Sequence, residues 1–393
     1  MNSLPEPTAD QRAHCAALSS VLTHRIAEAG GMLRFDRYMQ AVLYEPGLGY
    51  YMAGQQRFGA AGDFVTAPEL SPMFGRCLAV QCAQWFETGA PAVIWEFGAG
   101  SGALAEQLIG ALDASGRTDL EYRIIELSPE LKLRQQARLS NALPARLRER
   151  IVWLDHLPDA IEGVVVANEL LDALPVRLFD WADGTVFERH VAVHTDGFQW
   201  QSVPAEADFE RIVRQRLTAS GWPLEAFESG YCSEVGEQAG AWLRSVGERL
   251  RRGALLLIDY GFPAREFYHP QRRTGTLNCH YRHRSHADPF WWPGLCDVTA
   301  HVDFSLLLER SREIQLELLG YTSQAQFLLA CGLLEQFERA LPAGSLDRAR
   351  SAQAVQQLVS EAEMGELFKV IAFGRGLSGA GPGFSLRDRS AAL

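Results

Sequence analysis

Two short stretches of the chain gather residues whose types and spacing could do chemistry. In "VVVANELLDALPV", residues 164–176, an apolar β-branched run stops at Asn168 and Glu169, with Asp172 a few residues on. Such a run reads as a strand buried on both faces, so its end presents an amide and two carboxylates together. Strand ends ordinarily meet water, and Asn168 would also serve as a helix cap. The cluster gains meaning only if other strands point polar groups into the same crevice. "WEFGAGSGALAEQL", residues 95–108, supplies the second set: Glu96, then Gly98, Gly100 and Gly102, then a helical pattern. Strand, glycine turn and helix start follow in the order a nucleotide-type loop requires. Glycines there let the backbone turn sharply and approach a ligand with no Cβ in the way. A plain strand-to-helix turn is the simpler reading of the same residues.

The next strand, "EYRIIEL", ends in Glu126, at the spacing where an acidic side chain accepts hydrogen bonds from ribose hydroxyls. A third, "IVWLDHLP", brings Asp155 to its end. Two cofactor classes fit this frame. "GAGSGA" satisfies the loose dinucleotide fingerprint, but NAD carries a pyrophosphate that Glu96 would repel. S-adenosylmethionine carries an ammonium and a sulfonium and no phosphate. Glu96 suits those cations, glycine amides suit the methionyl carboxylate, and Asp155 can accept from the adenine amino group. S-adenosylmethionine is therefore the expected cofactor, with a NAD-dependent oxidoreductase as the alternative.

These residues need a sheet to hold them. From residue 92 onward strand and helix patterns alternate ("AVIWEFG", "ALAEQLIGAL", "EYRIIEL", "PELKLRQQARL", "IVWLD", "GVVVANE"), which implies a parallel sheet with helices on both faces. The rhythm breaks between residues 176 and 250. There "VRLFDWADGTVFERHVAVHTDGFQW" alternates and carries "DG" turns, so hairpins are expected, followed by helices in "FERIVRQRL" and "SEVGEQAGAWLRSVGERL". "GALLLIDYG" resumes the sheet, and 262–304 reads as a long polar and aromatic loop. Strand "EIQLELLG", helices over 323–341 and 352–368, and strand "FKVIAFGR" close the pattern. The expected organisation is a cap over 1–90, a doubly wound α/β domain over 91–375 with an insert at 176–250, and a loose tail over 376–393.

Composition narrows the class. The 393 residues are 47% hydrophobic and 22% charged, as in globular proteins. No apolar run is long enough to span a bilayer, and the first residues lack a secretory pattern. The net charge of −11 argues against a nucleic-acid binder and toward cationic ligands. Seven scattered cysteines without a CxxC pair suit a reducing compartment. Cys279, His280, His283, His286, Cys296 and His301 crowd one region, yet without zinc spacing, so no metal is expected. No GxSxG elbow is present, which leaves out the common hydrolase arrangement.

Taken together, "YEPGLGYY", "GDFVTAPELSPMFG", "EFGAGSGALA", "NELLDALPV", "IDYGFP" and "DVTAHVDF" occur in an order that resembles the MidA-type S-adenosylmethionine-dependent methyltransferases. That family includes bacterial proteins and a mitochondrial assembly factor of respiratory complex I, and the resemblance spans roughly residues 20–375. It implies a class I methyltransferase fold, Rossmann-like and doubly wound, and methylation of a protein arginine. It places Glu96, Gly98, Gly100, Gly102 and Glu126 in the cofactor motifs and Asn168, Glu169 and Asp172 in the active-site motif. It also folds "GDFVTAPELS" over the cofactor with Asp63 and Thr66 near it, although Asp63 reads equally as a turn residue after Gly62. The stretch "FWWPG" at 290–294 departs from the family pattern. An arginine acceptor gives the acidic cluster a purpose, because paired carboxylates can grip a planar guanidinium. The resulting expectation is a cytoplasmic methyltransferase with a protein substrate such as a respiratory-chain subunit. Its rival is an assembly factor or scaffold that holds the cofactor without turnover.

Overall fold

Strands Val93–Phe97 (β1), Glu121–Ile125 (β2), Ile151–Leu154 (β3), Ile161–Asn168 (β4), Leu250–Phe262 (β5), Glu317–Ser323 (β6) and Phe368–Arg375 (β7) line up as β3-β2-β1-β4-β5-β7-β6. The structure, a computed structural model, describes residues 4–53, 65–195, 197–340, 346–377 and 379–393. Strands β3 to β5 pair parallel. The expected parallel sheet is completed differently: β7 runs antiparallel to β5, and β6 antiparallel to β7. Chain order reverses between the neighbours β1 and β4, and ligands of open α/β sheets bind beyond the carboxyl ends of strands at such a point.

Contacts divide the chain into two discontinuous units. One holds Val65–Leu170, Trp242–Gly261 and Leu307–Leu393, and so this sheet; the other holds Met1–Phe64, Leu171–Ala241 and Phe262–Leu306. The division cuts across the expected cap, since helix Pro72–Glu87 belongs with the sheet. In the sheet unit, helices Pro72–Glu87 and Ala103–Ala114 bury Leu78, Trp85 and Leu108 in one core with Tyr122, Val164 and Leu256 of the strands. The helix expected over 323–341 is two, Gln324–Ala330 and Leu333–Ala340, parted at Gly332 with φ +78°. The tail read as loose is packed. Phe384 is 4% exposed against Phe327, Gly383 N–H donates to Gln81 Oε1 at 2.8 Å, and Arg389 pairs with Glu366. One buried aromatic inside a Gly/Ser-rich stretch anchors a segment whose composition signals disorder.

The other unit is built on an antiparallel sheet of Met32–Arg34, Thr185–His194, Arg177–Ala182 and Tyr231–Val235 in that order, with Gly197–Pro204 also paired to Thr185–His194. Asp183 (φ +50°) and Gly184 (φ +79°) form the two-residue hairpin turn, which requires left-handed backbone at both positions. "YCSEV" is a fully buried strand, where the helical reading had begun at Ser233, and the helix starts at Glu237. Residues 262–304, read as loop, contain a small sheet of Asn278–Tyr281 between Arg284–His286 and Asp297–Thr299. Among the described residues no helix is long and apolar enough to cross a membrane.

The close approach of β4 and β5 depends on two facing glycines, Gly163 and Gly253. Both have positive φ, and a Cβ on Gly253 would stand 1.7 Å from the Gly163 carbonyl oxygen. Gly253→Ala should therefore destabilise the protein by on the order of 1–3 kcal/mol from backbone strain alone, and more from the clash. Gly110, on helix Ala103–Ala114, has open space around it, so Gly110→Ala should be neutral or stabilising. Urea midpoints of the two variants check the contrast; equal midpoints would remove the steric argument.

Candidate functional site

The turn after β1 bends through left-handed glycines: Gly98 has φ +69°, Gly100 +51° and Gly102 +83°. Gly102 caps helix Ala103–Ala114, and its N–H donates to the Ala99 carbonyl at 2.7 Å. Three side chains hold the loop. Ser101 Oγ donates to Glu69 Oε1 and accepts from Arg138 Nη1 at 3.2 Å, while Arg138 also grips Glu69 at 2.8 Å and Glu106 at 2.7 Å. Gln135 Nε2 donates to the Gly100 carbonyl at 3.0 Å.

Glu96, on β1, lies 2% exposed and accepts from Tyr122 Oη–H at 2.8 Å. Burial pushes its carboxyl up to about 7; the Tyr122 hydrogen bond opposes that shift, and the neighbouring Glu126 adds to it. Glu126, just beyond β2, is also raised by burial, while hydrogen bonds from Ser128 and Gln135 pull it back. Its two oxygens accept from Ser128 N–H and Gln135 Nε2, each at 2.8 Å.

A raised carboxyl favours the neutral form in the folded state. Burial of Glu96 therefore costs nothing below its unfolded value and progressively lowers stability as pH rises from about 4.5 to about 7. Glu96→Gln keeps an acceptor for Tyr122 and removes the titration. Its melting temperature minus that of the wild type should climb between pH 5 and pH 8. A difference flat with pH would show that Glu96 does not titrate in that window.

At the end of β4, Glu169 has φ +51°, a left-handed backbone for a residue other than glycine, and such strain concentrates at functional sites. Its N–H donates to the Ile258 carbonyl at 2.9 Å, while Oε1 accepts from Asn168 Nδ2 at 3.0 Å and from Ala67 N–H at 3.2 Å. The Asn168 amide is thereby oriented, with Oδ1 buried and no hydrogen-bond partner among the described residues. Thr66 stands beside Ala67 at the start of the short helix Ala67–Leu70. Its side chain makes no capping bond. Gln107 Nε2 donates to the Pro68 carbonyl at 2.7 Å and fixes the same segment from the other side.

Asp155 follows Leu154, whose carbonyl accepts from Glu126 N–H at 3.0 Å. Asp155 is 85% exposed and paired with His156 at 2.7 Å, which holds its carboxyl below the usual range. Asp63 lies outside the described residues. Asp172 belongs to the other unit, where it is buried and its carbonyl accepts from Ala300 N–H at 2.9 Å. In that unit Tyr51 Oη–H lies 2.9 and 3.0 Å from the two Asp297 oxygens and its ring stacks on Tyr44 at 5.5 Å. Burial, then Asp297 and Asp172, pushes the Tyr44 phenol up. Asp297, Tyr44, Glu69, Arg138 and Gln135 were not singled out from sequence. Asp297 opens the quoted motif "DVTAHVDF", Tyr44 opens "YEPGLGYY", and Glu69 lies within "TAPELS"; no local pattern marks Arg138 and Gln135.

A parallel sheet reversing between β1 and β4, a glycine loop at that reversal and a partly buried acid after β2 define a class I, Rossmann-like α/β methyltransferase. Residues 77–322 match the family described as "Putative S-adenosyl-L-methionine-dependent methyltransferase", and the chain belongs to that family. The protein arginine methyltransferase NDUFAF7 of Danio rerio mitochondria is 27% identical over 385 residues, covering 89% of this chain and 86% of its own. The Homo sapiens protein of the same name is 28% identical, covering 87% and 80%. A Burkholderia thailandensis chain crystallised with S-adenosyl-homocysteine is 47% identical, with a TM-score of 0.94 and full coverage of both chains. The enzyme is an S-adenosylmethionine-dependent methyltransferase, which removes the oxidoreductase alternative.

Proposed function

We propose that this methyltransferase acts on the guanidinium of an arginine in a protein. The observation that carries the reading is the match, over most of the chain, to relatives named as protein arginine methyltransferases. The acceptor favoured by the family resemblance is a subunit of respiratory complex I, methylated as part of its assembly. A reducing, cytoplasmic setting suits seven cysteines that are all buried and form no disulfide among the described residues.

In this reading Gly98, Gly100 and Gly102 let the backbone approach the methionyl end of the donor. Glu126 accepts from the ribose, and Glu96 supplies the acidic floor of the loop. Thr66 and Asp155 complete the cofactor set, while Asp63, the other residue expected there, lies outside the described residues. The residues fit the group: three consecutive alternate positions carry left-handed glycine, and the Glu126 carboxylate retains acceptor capacity beyond its hydrogen bonds from Ser128, Gln135 and Leu127. When bound, the donor supplies a methyl group on a sulfonium, ready for in-line displacement, so the protein's work is mostly positioning. Asn168 and Glu169 form the acceptor set. Glu169 holds the guanidinium fork and turns one nitrogen toward the donor; the product remains a cation after one proton leaves.

Mass spectrometry of proteins methylated by the purified enzyme, with isotopically labelled S-adenosylmethionine, tests the reading. Label on arginine is the expected result. Label confined to another side chain would overturn the acceptor assignment, and absence of transfer to any protein in a lysate from cells lacking the gene would favour a scaffold.

A further inference from the structure

Gln135 is 0% exposed on helix Pro129–Ala142, yet its amide is fully engaged. Nε2 donates to the Gly100 carbonyl at 3.0 Å and to Glu126 Oε2 at 2.8 Å, and Oε1 accepts from Trp153 Nε1 at 3.0 Å. An indole N–H can only donate. Trp153 therefore dictates that the amide oxygen faces it and that both amide hydrogens face the glycine loop and Glu126, which fixes an orientation amides otherwise leave ambiguous.

We infer that Gln135 is a positioning residue of the cofactor site, acting through Gly100 and Glu126. It ties the loop after β1 to the acid after β2, and it occupies one Glu126 oxygen while Ser128 N–H occupies the other. The carboxylate is thus held in one orientation, and the acceptor capacity that remains is left for the ribose. Neither obvious replacement reproduces this. An apolar side chain leaves the Gly100 carbonyl and the Trp153 N–H without their partner, and a carboxylate opposes Glu126. The inference rests on the reading that Gly100 and Glu126 face S-adenosylmethionine.

Calorimetry with S-adenosylmethionine and S-adenosylhomocysteine on the full chain tests it. Gln135→Met, similar in volume, should weaken both ligands about 10-fold, on the order of the loss of one charge-assisted hydrogen bond. Gln135→Glu should weaken both by about 100-fold. The decisive readout is the cycle with Glu126→Gln. In that background Gln135→Glu should cost far less than in the wild type, because the opposing charge is gone and an amide can donate back. A purely structural Gln135 would give equal losses in both backgrounds, and that result overturns the inference. Trp153→Phe keeps an aromatic ring but removes the pyrrole part of the indole with its donor; a 2- to 3-fold loss of affinity, on the order of half a hydrogen bond, is expected even if the Gln135 variants fold poorly, and unchanged affinity counts against the inference. If Glu126→Gln alone leaves both affinities unchanged, the cofactor reading of Glu126 falls first and the inference with it. If it weakens them while Gln135→Met does not, the inference alone falls.

Discussion

Gly100→Val should abolish S-adenosylmethionine binding while leaving the fold in place. Gly100 has φ +51° and its carbonyl is tied to the buried Gln135, so the loop cannot rotate to hide a new side chain without breaking that bond. A β-branched side chain there would fill the space the methionyl part of the donor needs. The left-handed backbone also costs about 1–2 kcal/mol for a residue with a Cβ, enough to lower the melting temperature by a few degrees at most in a protein of this size. Gly116 separates the two effects: it has φ +88° and nothing within 4 Å of an added Cβ. Gly116→Val should show the same small loss of stability and normal affinity. The expected calorimetric result is no heat of binding for Gly100→Val at ligand concentrations that saturate both the wild type and Gly116→Val. Binding of near-normal strength would reduce the glycine loop to a turn.

How much of this was legible in the sequence follows from what kind of interaction carries each feature. The central strands read correctly because burial on both faces writes an unbroken apolar run, as in "VVVAN" and "ALLLI". The glycine loop read correctly because left-handed backbone restricts the residue type at three positions. The antiparallel direction of β7 did not, since direction depends on which connection crosses the sheet and leaves no trace in "FKVIAFGR". The packed tail was missed because a single Phe384 fits a pocket beside Phe327 that composition cannot anticipate. In the candidate site the expected residues are those at strand ends. The ones missed, Gln135 and Arg138, project from mid-helix onto the loop. A polar residue on a helix is ordinarily a solvated one, and only tertiary contact shows otherwise. Asp172 was grouped with Glu169 by three residues of spacing, and those three residues cross from one compact unit to the other.

Glu169→Gln should slow methyl transfer by roughly 10²-fold or more, as for loss of a transition-state electrostatic contact, with cofactor affinity within about 2-fold of normal. The substitution is informative because of what it preserves. Glu169 Oε1 accepts from Ala67 N–H and Asn168 Nδ2, and a glutamine oxygen can accept from the same two donors, so helix Ala67–Leu70 keeps its anchor. The left-handed φ of +51° burdens either side chain alike. What disappears is the negative charge that pairs with a guanidinium. Glu169→Ala would confound these, because it frees Ala67 N–H as well as removing the charge. Asn168→Ala should disturb cofactor binding as well as transfer, since Asn168 ends the strand paired with β1, beside the glycine loop, and its Nδ2 donates to Glu169. Rates are read with labelled S-adenosylmethionine at saturating concentration and a protein acceptor from the wild-type screen. A Glu169→Gln enzyme that transfers at the normal rate would leave the carboxylate as a structural brace for Ala67, and the guanidinium would then need another partner.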